Sequence, residues 1–298
     1  MNGQKQSLRG RRVLITGAAR GIGAALAERL HDRGARVALA GLEPDRLAAT
    51  ADRVGAPWWT CDVSDRRQVD EVVTAAVEAL GGLDVVIANA GVAAQLPLVG
   101  GDPAIFEQTL RVNVLGTYYT LRAAGPHISH DEGYALAISS LGGAVHPPLL
   151  GAYSASKAAV EALGNALRQE VRGAGARVGV AYFAELYTDM TSRGFGTEAA
   201  AAALGGRAFT RVTPLRHGID ALERGITRRS RRIVAPWWVA GVLPIRTLAQ
   251  RVVEVAARGN LDEALRIARE EQVGLTTPQP APRDRSEPEP EPEPEVLA

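Results

Sequence analysis

Val13-Leu14-Ile15-Thr16-Gly17-Ala18-Ala19-Arg20-Gly21-Ile22-Gly23 is the stretch that decides how this chain folds. Its three leading apolar residues read as a short strand, and the glycines that follow close a tight turn. From Ala24 to Leu30 the pattern is helical, and Val37–Ala40 is a second apolar strand. Glycines let the backbone turn tightly and approach a pyrophosphate, whose charge suits the positive end of the following helix. A glycine triplet alone is weak evidence. Here a strand precedes it and a helix follows, which is the context the motif requires.

The alternation continues. Leu47–Val54 reads as helix, Trp58–Thr60 as a brief strand, and Arg67–Leu80 as a helix with apolar residues at Val69, Val72, Val73, Ala76, Val77 and Leu80. Asp84–Ala88 is a strand, Phe106–Ala124 a long helix, and Tyr134–Ser139 a strand. Ala152–Arg172 is helical, Arg177–Phe183 extended, Pro214–Arg224 helical, and Arg232–Ala235 the last strand. Helices between successive strands call for a parallel sheet covered on both faces. The expected fold is therefore α/β, a Rossmann-type doubly wound parallel sheet in a single domain with a C-terminal helical extension. Such sheets bind ligands beyond the carboxyl ends of their strands, and Gly17, Asp62, Asn89 and Ser140 all fall at such ends.

Tyr153 and Lys157 lie four residues apart in the helical run, so their side chains share one face. An ammonium beside a phenol favours the phenolate and lowers a pKa that starts at about 10. A phenol tuned in this way can give or take a proton while a carbonyl and an alcohol interconvert. Ser140 ends the preceding strand, and a strand end neighbours the start of the next helix, so its hydroxyl can share the site. The competing reading is an ordinary Tyr/Lys pair on a surface helix.

Taken together, TGAARGIG (16–23), CDV (61–63), NAG (89–91), Asn113 in RVNVLG, ISS (138–140) and YSASK (153–157) resemble the short-chain dehydrogenase/reductase family in order and spacing, over roughly residues 10–235. The resemblance implies an NAD(P)(H)-dependent oxidoreductase acting on a carbonyl/alcohol pair. Tyr153 would be the acid in reduction and the base in oxidation. Lys157 would lower its pKa and bond the nicotinamide ribose, Ser140 would hold the substrate carbonyl, and Asn113 would support a proton path to Lys157. Gly17, Gly21 and Gly23, with Ile22 between them, would line the pyrophosphate and ribose. Asp62 and Val63 would meet the adenine, and Asn89 with Ala90 and Gly91 would form the cofactor-side strand end. Of the two neighbouring serines, the spacing to Tyr153 favours Ser140 over Ser139.

Two departures from the family pattern stand out. Where Pro-Gly usually follows the sixth strand, this chain has Phe183-Ala184, then Glu185-Leu186-Tyr187-Thr188. Thr188 is retained for the nicotinamide carboxamide, while Glu185 is either a group in the site or a solvated loop carboxylate. At the end of the second strand stands Gly41-Leu42-Glu43, neither the aspartate of NAD-preferring relatives nor the arginine of NADP-preferring ones. Arg20 suits a 2′-phosphate and Glu43 suits the ribose diol, so the preference between NAD and NADP is open at this point.

The divisions expected are an N-terminal arm (1–10), the Rossmann domain (11–236), a helical extension (237–275) and a disordered tail (276–298). Leu248–Ala256 and Leu261–Ala268 carry the helical spacing of the extension, and the alternating Pro/Glu run at 287–295 has nothing to bury. By the same resemblance, residues 188–213 hold the position of a substrate-covering loop, where Phe195, Leu204 and Phe209 either offer an apolar wall for a lipophilic substrate or pack beneath an irregular loop. Arginines 228, 229, 231 and 232 beside Trp237 and Trp238 fit either a membrane surface or a cover over the site or an oligomer contact.

A net charge of +1 gives no basic field for nucleic acid. The lone Cys61 excludes an internal disulfide and suits a reducing compartment. With no apolar run in the first residues, the expected location is cytoplasmic. The histidines show no metal spacing, so no metal is expected. The resemblance implies a homodimer or homotetramer. Two rival functions remain: a catalytically silent dinucleotide-binding sensor, and a partner-binding protein working through its C-terminal extension.

Overall fold

A computed structural model describes residues 7–194, 197–203, 212–271 and 274–280. Seven strands, β1 (Arg12–Thr16), β2 (Arg36–Gly41), β3 (Trp58–Thr60), β4 (Val85–Ala88), β5 (Tyr134–Ile138), β6 (Arg177–Phe183) and β7 (Arg232–Ala235), form one sheet. Their order is β3-β2-β1-β4-β5-β6-β7, and every pairing is parallel. The chain therefore reverses its direction of winding between β1 and β4. Loops leaving these two adjacent strands part to opposite faces and leave a crevice at their carboxyl ends. Every strand and helix expected from the sequence forms, and their ends shift by a few residues.

Strand alternation divides the apolar residues between two cores. Val13 and Ile15 join Leu26, Leu39, Leu222 and Ile233 on one face. That face is covered by α1 (Gly21–Asp32), α2 (Pro44–Val54) and a later helix over Leu215–Thr227. Leu14 and Val86 point the other way, onto Val72, Val73, Ile128 and Val178. This second core lies beneath α3 (Arg66–Leu80) and the helices that follow β4 and β5. Leu14, Leu26 and Leu222 are fully buried, so truncating any one to alanine should cost about 2–5 kcal/mol.

Local signals set the helix ends. The Asp65 carboxylate accepts from the N–H groups of Arg67 (2.9 Å) and Gln68 (3.3 Å), capping α3, and Gly81 ends it in the left-handed conformation. The helix expected over 106–124 is three pieces in series. These are α4 (Pro103–Leu110), a π-helical turn (Arg111–Leu115) and α5 (Gly116–Ile128). The extra residue of a π turn rotates the side chains that follow it, and Asn113 sits in that turn.

After α6 (Gly151–Glu170) and β6 come two short helices, α7 (Asp189–Gly194) and α8 (Glu198–Ala203), then α9 (Leu215–Thr227). Phe195, Leu204 and Phe209 lie outside the described residues. Beyond β7, α10 (Val239–Val242), α11 (Arg246–Ala257) and α12 (Leu261–Glu270) form the C-terminal region. Helix α12 returns to the body of the fold. Leu265 and Ala268 pack against Leu149 and Ala199, and the Glu271 carboxylate accepts from the N–H groups of Glu198 (3.0 Å) and Ala199 (3.2 Å). Thr276, where the sequence suggests the start of a disordered tail, is 5% exposed and packed; residues 281–298 lie outside the described stretch. Among the described residues no helix is long and apolar enough to cross a membrane.

Candidate active site

A cavity of about 930 Å³ runs along the carboxyl ends of the strands. Gly17, Arg20, Gly21, Ile22, Glu43, Asp62, Val63, Asn89, Ala90, Gly91, Ser140, Tyr153, Lys157 and Thr188 all line it. Of the catalytic and cofactor-binding residues expected from the sequence, Gly23 and Asn113 stand one layer back.

The glycine turn begins at the switch between β1 and β4. Gly17 has φ +67°, and a Cβ there would sit 2.7 Å from the Ala90 Cα. Gly23 lies against the Gly17 carbonyl, only 2.2 Å from where a Cβ would be. Asn89 ties the two strand ends together, its Nδ2 donating to the carbonyls of Thr16 (2.9 Å) and Gly17 (3.1 Å). The Thr16 hydroxyl accepts from the N–H groups of Asn89 and Ala90. No side chain caps the N-terminus of α1, and a Cβ on Gly21 would meet nothing closer than 3.9 Å. The first turn of α1 thus meets the cavity through Gly21 and Ile22 with no side-chain cap in the way, an arrangement that suits an anionic pyrophosphate. The residues present fit a dinucleotide.

At the far end of β2, Glu43 accepts from Arg20 (3.0 Å) and Arg46 (3.4 Å), and Asp189 lies 3.5 Å and 3.3 Å from the same two arginines. Arg20 and Glu43, which argued for opposite cofactors in sequence, are thus an ion pair. The Asp62 carboxylate accepts from the N–H and hydroxyl of Ser64 (2.9 and 2.8 Å), fixing the loop after β3.

The other end of the cavity lies between β5 and α6. Tyr153 is hydrogen-bonded to Ser140, and the Ser140 hydroxyl also accepts from the Gly142 N–H at 3.0 Å. Ser139 points elsewhere, donating to the carbonyl of Lys157 at 2.8 Å. Lys157 is buried, and its Nζ donates to the Ile138 carbonyl at 2.9 Å. Asn113 accepts from the Val92 N–H (2.8 Å) and donates to the Val92 carbonyl (2.9 Å) and the Ser156 hydroxyl (2.9 Å). It does not bond its own helix backbone. Gly91 leaves room here, since a Cβ would come within 3.2 Å of Asn113 Oδ1 and 3.3 Å of Lys157 Nζ.

Electrostatics differ from the sequence expectation in one respect. Burial raises the Tyr153 phenol above its ordinary value, and the hydrogen bond with Ser140 opposes this without reversing it. Burial also lowers Lys157 to about 8. The ammonium spends a hydrogen bond on Ile138 and stands 5.8 Å from the Tyr153 ring centroid, so desolvation outweighs its pull on the phenol. Cys61 lines the cavity, but burial pushes its thiol up to about 12, which leaves it unreactive.

Glu185, which the sequence leaves as either a group in the site or a solvated loop carboxylate, is half-buried at the cavity wall. Val145, Leu150, Met190, Trp238, Val242 and Leu248 make this end of the cavity apolar. The last three come from the C-terminal region, for which a cover over the site is one of the sequence readings, while Val145, Leu150 and Met190 escaped sequence reasoning. Thr276, Thr277 and Gln279 line the crevice from outside all the family motifs. The ambiguous stretch around the two tryptophans divides: Trp238 faces the cavity while Trp237 is 84% exposed.

Comparison with known proteins gives a consistent picture. The model of the short chain dehydrogenase family matches residues 11–199. The chain is 38% identical over 203 residues to a glycine betaine reductase of Emericella nidulans, covering 66% of this chain but 16% of that much longer protein. It is 33% identical over 173 residues to an uncharacterized oxidoreductase of Staphylococcus saprophyticus, covering 56% of this chain and 74% of the relative. Among solved structures, a dehydrogenase/reductase from Sinorhizobium meliloti 1021 is similar with a TM-score of 0.68 and 28% identity, over 77% of this chain and 96% of that one. A short chain dehydrogenase/reductase from Burkholderia phymatum, in complex with NAD, shares the fold at a TM-score of 0.68 and 24% identity, over 85% and 96% of the two chains.

Proposed function

Because this chain belongs to the short-chain dehydrogenase/reductase family, we propose that it interconverts a carbonyl and an alcohol, with Tyr153 moving the proton. A nicotinamide dinucleotide supplies or takes up the hydride. The observation that carries the reading is the hydrogen bond between Tyr153 and Ser140, inside a cavity that continues to the glycine turn.

In reduction, Ser140 holds the substrate carbonyl oxygen and Tyr153 donates its phenolic proton to that oxygen as it gains charge. The raised phenol suits proton donation, since a neutral phenol is the form required. In oxidation the same pair runs in reverse, with Tyr153 as base. Lys157 sits behind the phenol, and its charge supports the phenolate left after transfer. Asn113 holds Val92, and so fixes the strand end beside Lys157. Gly17, Gly21 and Ile22 would hold the pyrophosphate, with Gly23 allowing the close packing behind them. Asp62 and Val63 would meet the adenine, Asn89, Ala90 and Gly91 would form the cofactor-side strand end, and Thr188 would meet the nicotinamide carboxamide. Glu43, facing Arg20, takes the adenine ribose diol and favours NAD(H) over its 2′-phosphorylated form. The apolar substrate end suits a lipophilic ketone or secondary alcohol. Self-association as a homodimer or homotetramer through α6 belongs to the same proposal, and sedimentation tests it.

The test is a titration with NADH and NADPH followed by a panel of ketones and alcohols, run on the native chain and on Tyr153→Phe. The variant should keep dinucleotide affinity and lose turnover by about 10²–10⁴. Equal, measurable turnover in both proteins would remove Tyr153 from proton transfer, and dinucleotide binding with no turnover in either would leave a dinucleotide-binding sensor.

A further inference from the structure

Two lips frame the dinucleotide crevice: Arg20 at the head of α1 and the Val92–Ala93 segment beyond β4. Residues 274–280 run from one to the other. Thr276 is 5% exposed, and it pairs reciprocally with Ala93. The Thr276 N–H donates to the Ala93 carbonyl at 3.0 Å, and the Thr276 hydroxyl accepts from the Ala93 N–H at 3.0 Å. On the opposite lip the Arg20 guanidinium donates to the Thr276 carbonyl at 3.2 Å and to the Thr277 hydroxyl. Leu275 adds apolar anchorage against the cluster of Ala94, Leu96 and Ala152. The docking of α12 on α8 delivers the segment to this place.

We propose that residues 274–280 are a third wall of the dinucleotide site, closing over the bound cofactor, with Thr276 as its positioning residue. The proposal rests on the dinucleotide reading of the crevice. A cavity of about 930 Å³ persists with the segment in position, and Thr276, Thr277 and Gln279 are among its walls. The segment therefore covers the space and does not fill it. Its bonds go to both lips, so it also clamps them. Ala93 packs against Tyr153, and its neighbour Val92 is already held by Asn113. Thr276 thus completes the support of the segment on which the phenol rests. Only a handful of polar bonds and one leucine hold the wall down, so it can lift when the dinucleotide exchanges.

Hydrogen exchange of the full chain, with and without saturating NADH or NADPH, tests this directly. The Gly17–Gly23 turn serves as internal control. If the proposal holds, dinucleotide slows exchange in the turn and also in residues 274–280, the latter by about tenfold or more. Faster exchange in 274–280 would mean that the dinucleotide evicts the segment, and unchanged exchange there beside a protected turn would mean that the two do not meet. Either result overturns the wall. No protection at either place would overturn the dinucleotide reading itself, and the wall with it.

Stopped-flow displacement of NADH on full-length Thr276→Val adds a second readout. Losing one hydrogen-bond acceptor should speed dissociation about fivefold, and Thr276→Ser, which keeps the hydroxyl, should restore the native rate. Equal rates in all three proteins would overturn the role of Thr276.

Discussion

Lys157 Nζ donates to the carbonyl oxygen of Ile138 at 2.9 Å, so the ammonium is anchored to the end of β5. A single carbonyl does not repay the water lost on burial, and the lysine pKa falls to about 8. The consequence for stability has a definite sign. A lysine lowered in the folded state is charged at full cost below about 8, while the unfolded chain holds its proton up to about 10.5. Stability from this group therefore rises with pH between those values and is penalised below them.

Lys157→Met removes that penalty. Near pH 7 the variant should be more stable than the native chain by up to about 3 kcal/mol, less the lost bond to Ile138. The advantage should shrink steadily toward about pH 10. Urea unfolding of both proteins at about pH 7 and about pH 9.5 measures the difference, and a gap that stays constant with pH would refute the account. Activity should fall sharply in the same variant, because Lys157 no longer stabilises the phenolate.

Ser139 and Ser140 are adjacent in sequence and separate in role. Ser139 bonds the Lys157 carbonyl within the protein, whereas Ser140 meets Tyr153 at the cavity. Ser140→Ala should lower kcat by about 10²-fold or more, and should also cost about 1 kcal/mol because the Gly142 N–H loses its acceptor. Ser139→Ala should cost about 1 kcal/mol of stability and leave kcat near native. Steady-state kinetics and thermal melts on the pair decide it, and a reversed pattern would exchange their roles.

Asn113 illustrates what was legible in sequence and what was not. Its identity as a site residue came from the motif around it, but the π turn that presents it did not, because one extra residue in a helix leaves no mark on apolar spacing. The strands were readable from their apolar runs, and the doubly wound order followed from the helices between them. The pairing of Arg20 with Glu43 was not readable, since two opposite charges more than twenty residues apart carry no sign of meeting. Nor was the docking of Thr276, which depends on a return path set by α12 and on contacts that span most of the chain, whereas for Trp238 the sequence offered a cover over the site only as one reading among others.

Replacing Asn113 by alanine would strip partners from the Val92 N–H and carbonyl, both at the buried strand end. Each unsatisfied group costs about 1–3 kcal/mol, so Asn113→Ala should lose about 2–6 kcal/mol in urea unfolding. Asn113→Asp retains the acceptor for the Val92 N–H only and should fall further, because it buries a charge. If both variants unfolded like the native chain, the clamp on Val92 would be unimportant.

Glu43 sits between two arginines, 3.0 Å from Arg20 and 3.4 Å from Arg46. A 2′-phosphate approaching there meets a carboxylate first. Glu43→Gln removes the repulsion and leaves Asp189 as the carboxylate still facing the two guanidinium groups, so an incoming anion meets a net positive pair. The ratio of NADPH to NADH affinity should rise by about tenfold or more, equivalent to about 1.4 kcal/mol. Fluorescence titration with each dinucleotide reads the ratio, and an unchanged value would remove Glu43 from cofactor choice.

Gly17 and Gly55 both adopt left-handed backbone, at φ +67° and +57°, but only one of them is crowded. Gly55 ends α2 with nothing within 4 Å of a would-be Cβ, whereas at Gly17 that atom would lie 2.7 Å from the Ala90 Cα and 3.0 Å from Asn89 Nδ2. Alanine at Gly55 therefore meets backbone strain alone, about 1–2 kcal/mol, and should leave dinucleotide affinity unchanged. Alanine at Gly17 adds a steric push that drives apart the ends of β1 and β4, which Asn89 holds together across the switch point. Gly17→Ala should lose more stability than Gly55→Ala and weaken dinucleotide binding by about tenfold or more, since the crevice is defined by that separation. Titration calorimetry and thermal melts on the two variants separate strain from crowding. Equal losses of affinity in both would mean that the turn acts through global stability and that its close approach to Ala90 has no part in binding.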